Sequence, residues 1–316
     1  MHYLIVILDE SANSFCYYPN PNRQQKLMDL DVLKKGIFFA QKEGWLINFL
    51  IGKTTLPKEY KEAIDVINHI MITPPEYPQD AVEDVLVIDY DSRKTFENIP
   101  DNPDKNVILR IDKADIQDLL QIVISLQGKF KRINILIQNI NLMTDDDFEI
   151  YKSQLELLSQ WYLDQSKGSD AVEISTLSDR LFLQNMNNCD AGVKHITLAP
   201  NGKFYICPAF YYEDETNDCG DLQTDINIKN RQLYRLNHAP ICRQCDAFHC
   251  KRCVWLNRKT TLEVNSPSHE QCVTAHLERE ASRRFLNELH TLNIYNNKKI
   301  EELDYLDPFD IVNNWK

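Results

Sequence analysis

Cys242-Arg-Gln-Cys245-Asp-Ala-Phe-His-Cys250-Lys-Arg-Cys253 places four thiols in one short stretch. A metal centre needs several thiolates within a few ångströms of one another. Two Cys of one C-x-x-C turn meet that need at little loop-closure cost. Working outward, Cys219, Cys207 and Cys189 lie upstream and Cys272 lies downstream. Eight of the 9 Cys thus fall between Cys189 and Cys272, and Cys16 stands alone before them. The N-terminus, Met1-His-Tyr-Leu-Ile-Val-Ile-Leu-Asp9-Glu10, has no basic region and reads as a first strand rather than a signal peptide. An odd Cys total without an export signal argues against a disulfide framework and for a cytoplasmic chain that binds metal. Four thiolates make one site, so eight suggest two.

Composition narrows the classes. The chain has 316 residues, 43% hydrophobic and 26% charged, which excludes disorder as its main state. Its 8 Gly form no G-x-G-x-x-G and no G-x-x-x-x-G-K-S/T phosphate loop. A net charge of -12 gives no global attraction to nucleic acid or to an anionic membrane. No apolar run reaches the roughly 18 residues of a membrane span. The stretch Lys229–Lys259 reverses this charge, with eight basic residues against Asp246 alone. Cations beside an anionic thiolate centre, or a docking face for an acidic peptide, would each account for it.

Upstream of the cysteines, short apolar runs alternate with helical patterns. Strands are expected at His2–Leu8, Trp45–Ile51, Ile70–Thr73, Val85–Asp89, Val107–Ile111, Ile133–Gln138 and Val172–Thr176, rich in Ile, Val and Leu as buried parallel strands are. Helices are expected at Asp31–Glu43, ending at Gly44, at Lys58–Asn68 behind Pro57, and at Lys113–Gln127. Thr144 with Asp147 resembles a capping box, and the helix behind it carries Phe148, Tyr151, Leu155, Leu158 and Tyr162 on one face before stopping near Gly168. The segments Glu76–Tyr90 and Asp91–Lys105, the latter with Pro100 and Pro103, break the pattern. The alternation implies a parallel sheet or a partial barrel. Further on, His195–Cys207 reads as a hairpin around Asn201-Gly202, and Ser268–Leu292 as a charged helix.

The spacing Cys189, Gly202-x4-Cys207, Cys219, Cys242-x2-Cys245-x4-Cys250-x2-Cys253 and Cys272 resembles the SPASM domain of radical SAM peptide-modifying enzymes. That resemblance implies two 4Fe–4S clusters with interleaved ligands. Cys189, Cys207, Cys219 and Cys253 would hold the first. Cys242, Cys245, Cys250 and Cys272 would hold the second. The Cys250 to Cys253 spacing is one residue shorter than the family pattern, and the gap from Cys207 to Cys219 is longer. A competing assignment puts Cys242, Cys245, Cys250 and Cys253 on one zinc ion, since zinc also accepts tetrahedral thiolate. His276, four residues after Cys272 on one helical face, makes a Cys/His zinc site conceivable too.

Radical SAM enzymes carry a C-x3-C-x2-C loop after the first barrel strand, whose three thiolates leave one iron open for S-adenosylmethionine. Here Asp9, Asn13 and Cys16 occupy the three positions, and Tyr17 completes the Cys-Tyr dipeptide. The family's Gly-Gly-Glu-Pro motif after the second strand is reduced to Gly52-Lys-Thr-Thr-Leu-Pro57. Two losses predict an α/β chain that is a degenerate partial (β/α) barrel of radical SAM type followed by a Cys-rich SPASM domain. The expected limits are 1–180 for the barrel, 181–292 for the SPASM domain and 293–316 for a tail folded back through Tyr305-Leu-Asp-Pro-Phe309.

The whole chain resembles the CXXX repeat peptide maturase family. That resemblance implies an accessory maturation protein, not catalytic alone, acting with a precursor peptide bearing Cys-x-x-x repeats and a catalytic radical SAM enzyme. Neither nucleic acid nor membrane is an expected partner. A structural zinc or iron–sulfur module without a redox role is the alternative. An enzyme with chemistry of its own finds no G-x-S-x-G and no H-E-x-x-H, and Asp9, Glu10 and Asp89 near strand ends read as solvated loop charges.

Overall fold

A computed structural model describes residues 2–21, 24–75, 84–91, 99, 101–165 and 172–295. The expected tail Tyr305–Phe309, the stop at Gly168 and the 76–83 part of the irregular stretch lie outside these residues.

In chain order the elements are β1 (Tyr3–Ile7), α1 (Leu30–Glu43), β2 (Leu46–Leu50), α2 (Lys58–Ile64), β3 (His69–Thr73), β4 (Val85–Asp89), β5 (Asn102–Asp112), α3 (Leu119–Ser125) and β6 (Phe130–Gln138). Then follow α4 (Asp145–Gln165), β7 (Glu173–Ile174), α5 (Ser175–Phe182), β8 (His195–Leu198), β9 (Phe204–Tyr205) and α6 (Pro208–Glu213). The last are β10 (Gly220–Asp221), β11 (Asp225–Ile226), α7 (Val254–Thr261) and α8 (His269–Thr291). The chain is α/β, with mostly parallel strands. Among the described residues no helix is long and apolar enough to cross a membrane.

Packing divides the chain into two compact units, each assembled from two stretches. The first is Met1–Ile88 with Asp190–His238, and the second is Asp89–Cys189 with Ala239–Lys316.

In the first unit the strand order is β4-β3-β2-β1-β8-β9. All neighbours are parallel except β8 and β9. Leu4 to Leu8 are all buried, because β1 has a partner strand on each side and cover on both faces. Burying each such aliphatic side chain contributes roughly 1.5–3 kcal/mol. Helix α1 buries Leu33, Gly36, Ile37 and Ala40, and stops at Gly44. Gly44 takes φ 67°, and its N–H meets the carbonyls of Ala40 and Gln41.

In the second unit β5, β6 and β7 run parallel, with Val107 opposite Ile133 and Ile133 opposite Ile174. β5 begins at Asn102 and takes in Pro103, where an irregular stretch was expected; its register shifts between Asn102 and Asn106. The expected helix over Lys113–Gln127 is a 3-10 turn over Lys113–Asp118 followed by α3. The capping box at Thr144 forms as read. Thr144 N–H donates to Asp147 Oδ2 at 2.8 Å, and the Lys113 ammonium meets the same oxygen at 2.9 Å. Helix α4 buries the expected face of Phe148, Tyr151, Leu155, Leu158 and Tyr162. A further segment departs from expectation: the strand over Val172–Thr176 shrinks to β7 and turns into α5 at Ser175.

Candidate metal centre

The cysteine loop of the second unit is built from tight turns. Arg243 N–H donates to Ala239 O at 3.0 Å, Cys245 N–H to Cys242 O at 3.2 Å, and Cys250 N–H to Ala247 O at 3.0 Å. Ala239 and Ala247 are fully buried, so small side chains let these turns close against the body. Asn187 N–H donates to Phe248 O and Cys189 N–H to Lys251 O, both at 2.8 Å. These two rungs lay Cys189 alongside the loop. Cys253 sits at the start of α7, where its carbonyl accepts from Asn257 N–H. Cys272 lies in the first turn of α8, behind a Ser268 cap that accepts from Gln271 N–H at 3.3 Å.

These turns converge. Cys242, Cys245, Cys250 and Cys272 line one cavity with about 420 Å³ of empty volume. Arg252, Gln271 and His276 supply its other polar wall. His276 Nε2 lies 3.8 Å from Cys245 Sγ. All nine cysteines are free of disulfides. Burial pushes the Cys242 thiol up to about 12, against the pull of the Arg252 charge. Burial also pushes Cys250 well up, and Cys242 adds to the push, while the Arg252 N–H opposes it. Such thiols are neutral until a cation takes the place of their protons. Among the described residues, no three His, Cys, Asp or Glu side chains group tightly enough for one metal ion. The donor set is soft sulfur, the chemistry of iron–sulfur clusters and of zinc.

Two buried polar contacts fasten this loop. Asp246 is 3% exposed and is met by three guanidiniums: Arg180 Nη2 at 3.3 Å, Arg279 Nη1 at 3.6 Å and Arg283 Nη1 at 3.5 Å. Arg180 also donates to the Asp246 carbonyl at 2.6 Å and lies over the Phe248 ring. Burial pulls the Arg180 pKa down although Asp246 holds it up. On the other side, Tyr151 of α4 donates to Glu278 Oε1. Glu278 Oε2 in turn lies 2.7 Å from His249 Nε2, next to Cys250. Arg252 lines the cavity itself, and its charge suits an anionic thiolate centre.

The other expected ligand set is divided between the units. Cys189 and Cys253 belong to the second unit, Cys207 and Cys219 to the first. Cys207 precedes α6, with Pro208 opening the helix. Cys219 N–H donates to Phe204 O, and its carbonyl accepts from Asn227 N–H, both at 2.7 Å. Burial, with Asp218 beside it, pushes the Cys219 thiol up to about 12.

The loop after β1 is closed on itself. Asp9 is fully buried, and its Oδ1 accepts from both the N–H and the hydroxyl of Ser11 at 2.9 Å. Its Oδ2 accepts from the Thr54 hydroxyl. Gly52 lies so close that an added Cβ would stand 2.6 Å from Ser11 Oγ and 2.9 Å from Asp9 Oδ2. Asn20 Nδ2 donates to the carbonyls of Glu10 and Ala12 at 2.8 Å. Tyr18 stacks on Tyr212 and meets Phe15 edge-on. Of the three positions Asp9, Asn13 and Cys16, Asp9 forms a carboxylate knot between the loops after β1 and β2, while Cys16 N–H donates to Ser14 Oγ at 3.3 Å.

Sequence reasoning singled out the thiols and missed the groups that hold them. Arg252 was counted only as one charge among eight, and Arg180, Arg279 and Arg283 lie outside the basic stretch altogether. The lone acid Asp246 was the available signal.

No family model and no curated protein matches the chain. Solved structures do. Hexahistidine-tagged anSMEcpe with bound AdoMet superposes with a TM-score of 0.61 at 14% identity, over 92% of this chain and 96% of that one. Native anSMEcpe with bound AdoMet and Cp18Cys peptide gives 0.59 at 13% identity, over 92% and 99%. The same protein with Kp18Cys peptide gives 0.58 at 12% identity, over 92% and 99%. At these identities the likeness is one of fold, and this chain shares the fold of those structures.

Proposed function

We propose that this protein is an accessory subunit in the maturation of a ribosomally made peptide, with two auxiliary 4Fe–4S clusters and no S-adenosylmethionine cleavage of its own. The observation that carries it is the single cavity lined by Cys242, Cys245, Cys250 and Cys272. Four soft sulfur donors around one space are the ligand set of an iron–sulfur cluster. In this reading Cys189, Cys207, Cys219 and Cys253 hold the second cluster.

A bound cluster supplies one-electron transfer, and four protein ligands leave no open iron for substrate. The chain's own residues do the rest. The Asp246 and Glu278 contacts fix the loop. The Asp9 knot lies in the loop to which the sequence resemblance assigns a catalytic cluster, which favours a helper over a catalyst. Two of the neighbours carry a peptide, Cp18Cys or Kp18Cys, beside AdoMet, which supports a peptide as the partner here. A precursor with Cys-x-x-x repeats and a catalytic radical SAM enzyme complete the proposal.

Protein purified without oxygen is expected to be brown, with about eight iron per chain. It should produce no 5′-deoxyadenosine from S-adenosylmethionine under reductant. Adding it to the catalytic partner should change the rate or product of peptide modification. Colourless protein with stoichiometric zinc would overturn the cluster reading. A partner that works fully and equally fast alone would overturn the accessory role.

A further inference from the structure

Arg252 occupies a costly position. Its side chain is almost completely buried, at 1% exposure. Its backbone lies at φ 45°, in the left-handed region that glycine favours and a long side chain disfavours. A residue held there against its preference is over-determined by its surroundings, and such strain collects at functional sites. Three contacts define those surroundings. Arg252 is one of the residues lining the cavity of Cys242, Cys245, Cys250 and Cys272. Its Nε donates to Asn188 Oδ1 at 2.8 Å, one residue before Cys189. Its charge favours the thiolate of Cys242, and its backbone N–H does the same for Cys250.

We propose that Arg252 is a positioning residue that sets the reduction potential of the cluster bound in this cavity. This rests on the iron–sulfur reading of the site. A buried guanidinium stays charged and cannot shed its proton. Reduction adds one electron to an already anionic thiolate-bound cluster, and a fixed positive charge in the wall favours the reduced state. From the cavity lining the Arg252 side chain reaches Asn188, the residue before Cys189. Arg252 thus stands between thiols assigned to the two clusters.

The test is a redox titration of the full chain, reconstituted without oxygen, with iron content measured alongside. Arg252→Met and Arg252→Gly are expected to keep iron and shift the midpoint to more negative potential. Arg252→Gly discriminates because it relieves the backbone while deleting the charge. Arg252→Lys is expected to stay near the parent value. Lys251→Met removes one charge from the same turn but not from the cavity wall, and is expected to shift little. If Met and Gly variants lose iron while Lys retains it, the charge is needed to hold the cluster, which also supports the proposal. Unchanged midpoints in Met and Gly variants overturn it. So does iron loss in the Lys variant as well, which would make the guanidinium a purely structural tether. If the parent protein holds no iron, or zinc alone, the proposed function itself fails, and this inference falls with it.

Discussion

The Thr54 hydroxyl donates to Asp9 Oδ2 and so joins the loop after β2 to the loop after β1. Both loops leave neighbouring parallel strands at the same end of the sheet, the end where α/β proteins place their sites. A buried carboxylate with three hydrogen-bond donors replaces a ligand by an internal fastening. Thr54→Val is expected to cost about 1.5–3 kcal/mol, the range for hydrogen bonds to charged groups. Urea unfolding should show a lower midpoint with an unchanged slope.

Gly52 is the one glycine retained from the expected second-strand motif, and it is held by space. Gly52→Ala places a methyl 2.6 Å from Ser11 Oγ and is expected to cost about 1–3 kcal/mol through overpacking. Ser11→Ala in the same chain removes the nearest atom but leaves Asp9 Oδ2 at 2.9 Å. The double variant should therefore recover part of the loss. Strict additivity in a double-mutant cycle would refute this contact.

Asp246 balances two buried guanidiniums, Arg180 and Arg279, and the part-exposed Arg283. Asp246→Ala leaves them facing one another and is expected to destabilise the second unit by about 3–5 kcal/mol. Hydrogen exchange should locate the loss around α5, α8 and the cysteine loop. Asp246→Asn keeps the shape but not the charge, and should fail nearly as badly.

Tyr162 lies against Phe285 with ring centroids 4.9 Å apart. Burial, then the Glu173 charge, pushes its phenol up to about 12. Because the folded value lies above the ordinary 10.0, Tyr162 contributes stability that is complete below pH 10 and is lost as pH rises toward 12. Tyr162→Phe should flatten the alkaline decline in stability over that window. An unaltered decline would count against the assignment.

Much of the architecture was legible because its signals are local. Thr144 with Asp147, Gly44 behind α1, and the Ile- and Val-rich strands each state their conformation within a few residues. Helix α5 was not legible. Its residues Ser175, Thr176, Ser178, Asp179 and Arg180 are buried, so it offers no apolar stripe, and it follows a run that favours strand. It buries polar groups because partners distant in sequence satisfy them, as Asp246 and Ser282 satisfy Arg180. The thiols of the cavity were legible by spacing. The place of Arg252 was not, because its burial and left-handed backbone are features that no composition rule predicts.

The pairing of Tyr3 with His195 carries a temporal consequence. β1 leaves the ribosome well before β8, the strand on one of its sides. At ordinary elongation rates the delay is on the order of 10–40 s. Throughout it the nascent chain offers an apolar edge to any other strand nearby. Chaperone dependence during synthesis, and insolubility of fragments cut before β8, follow from that order of manufacture.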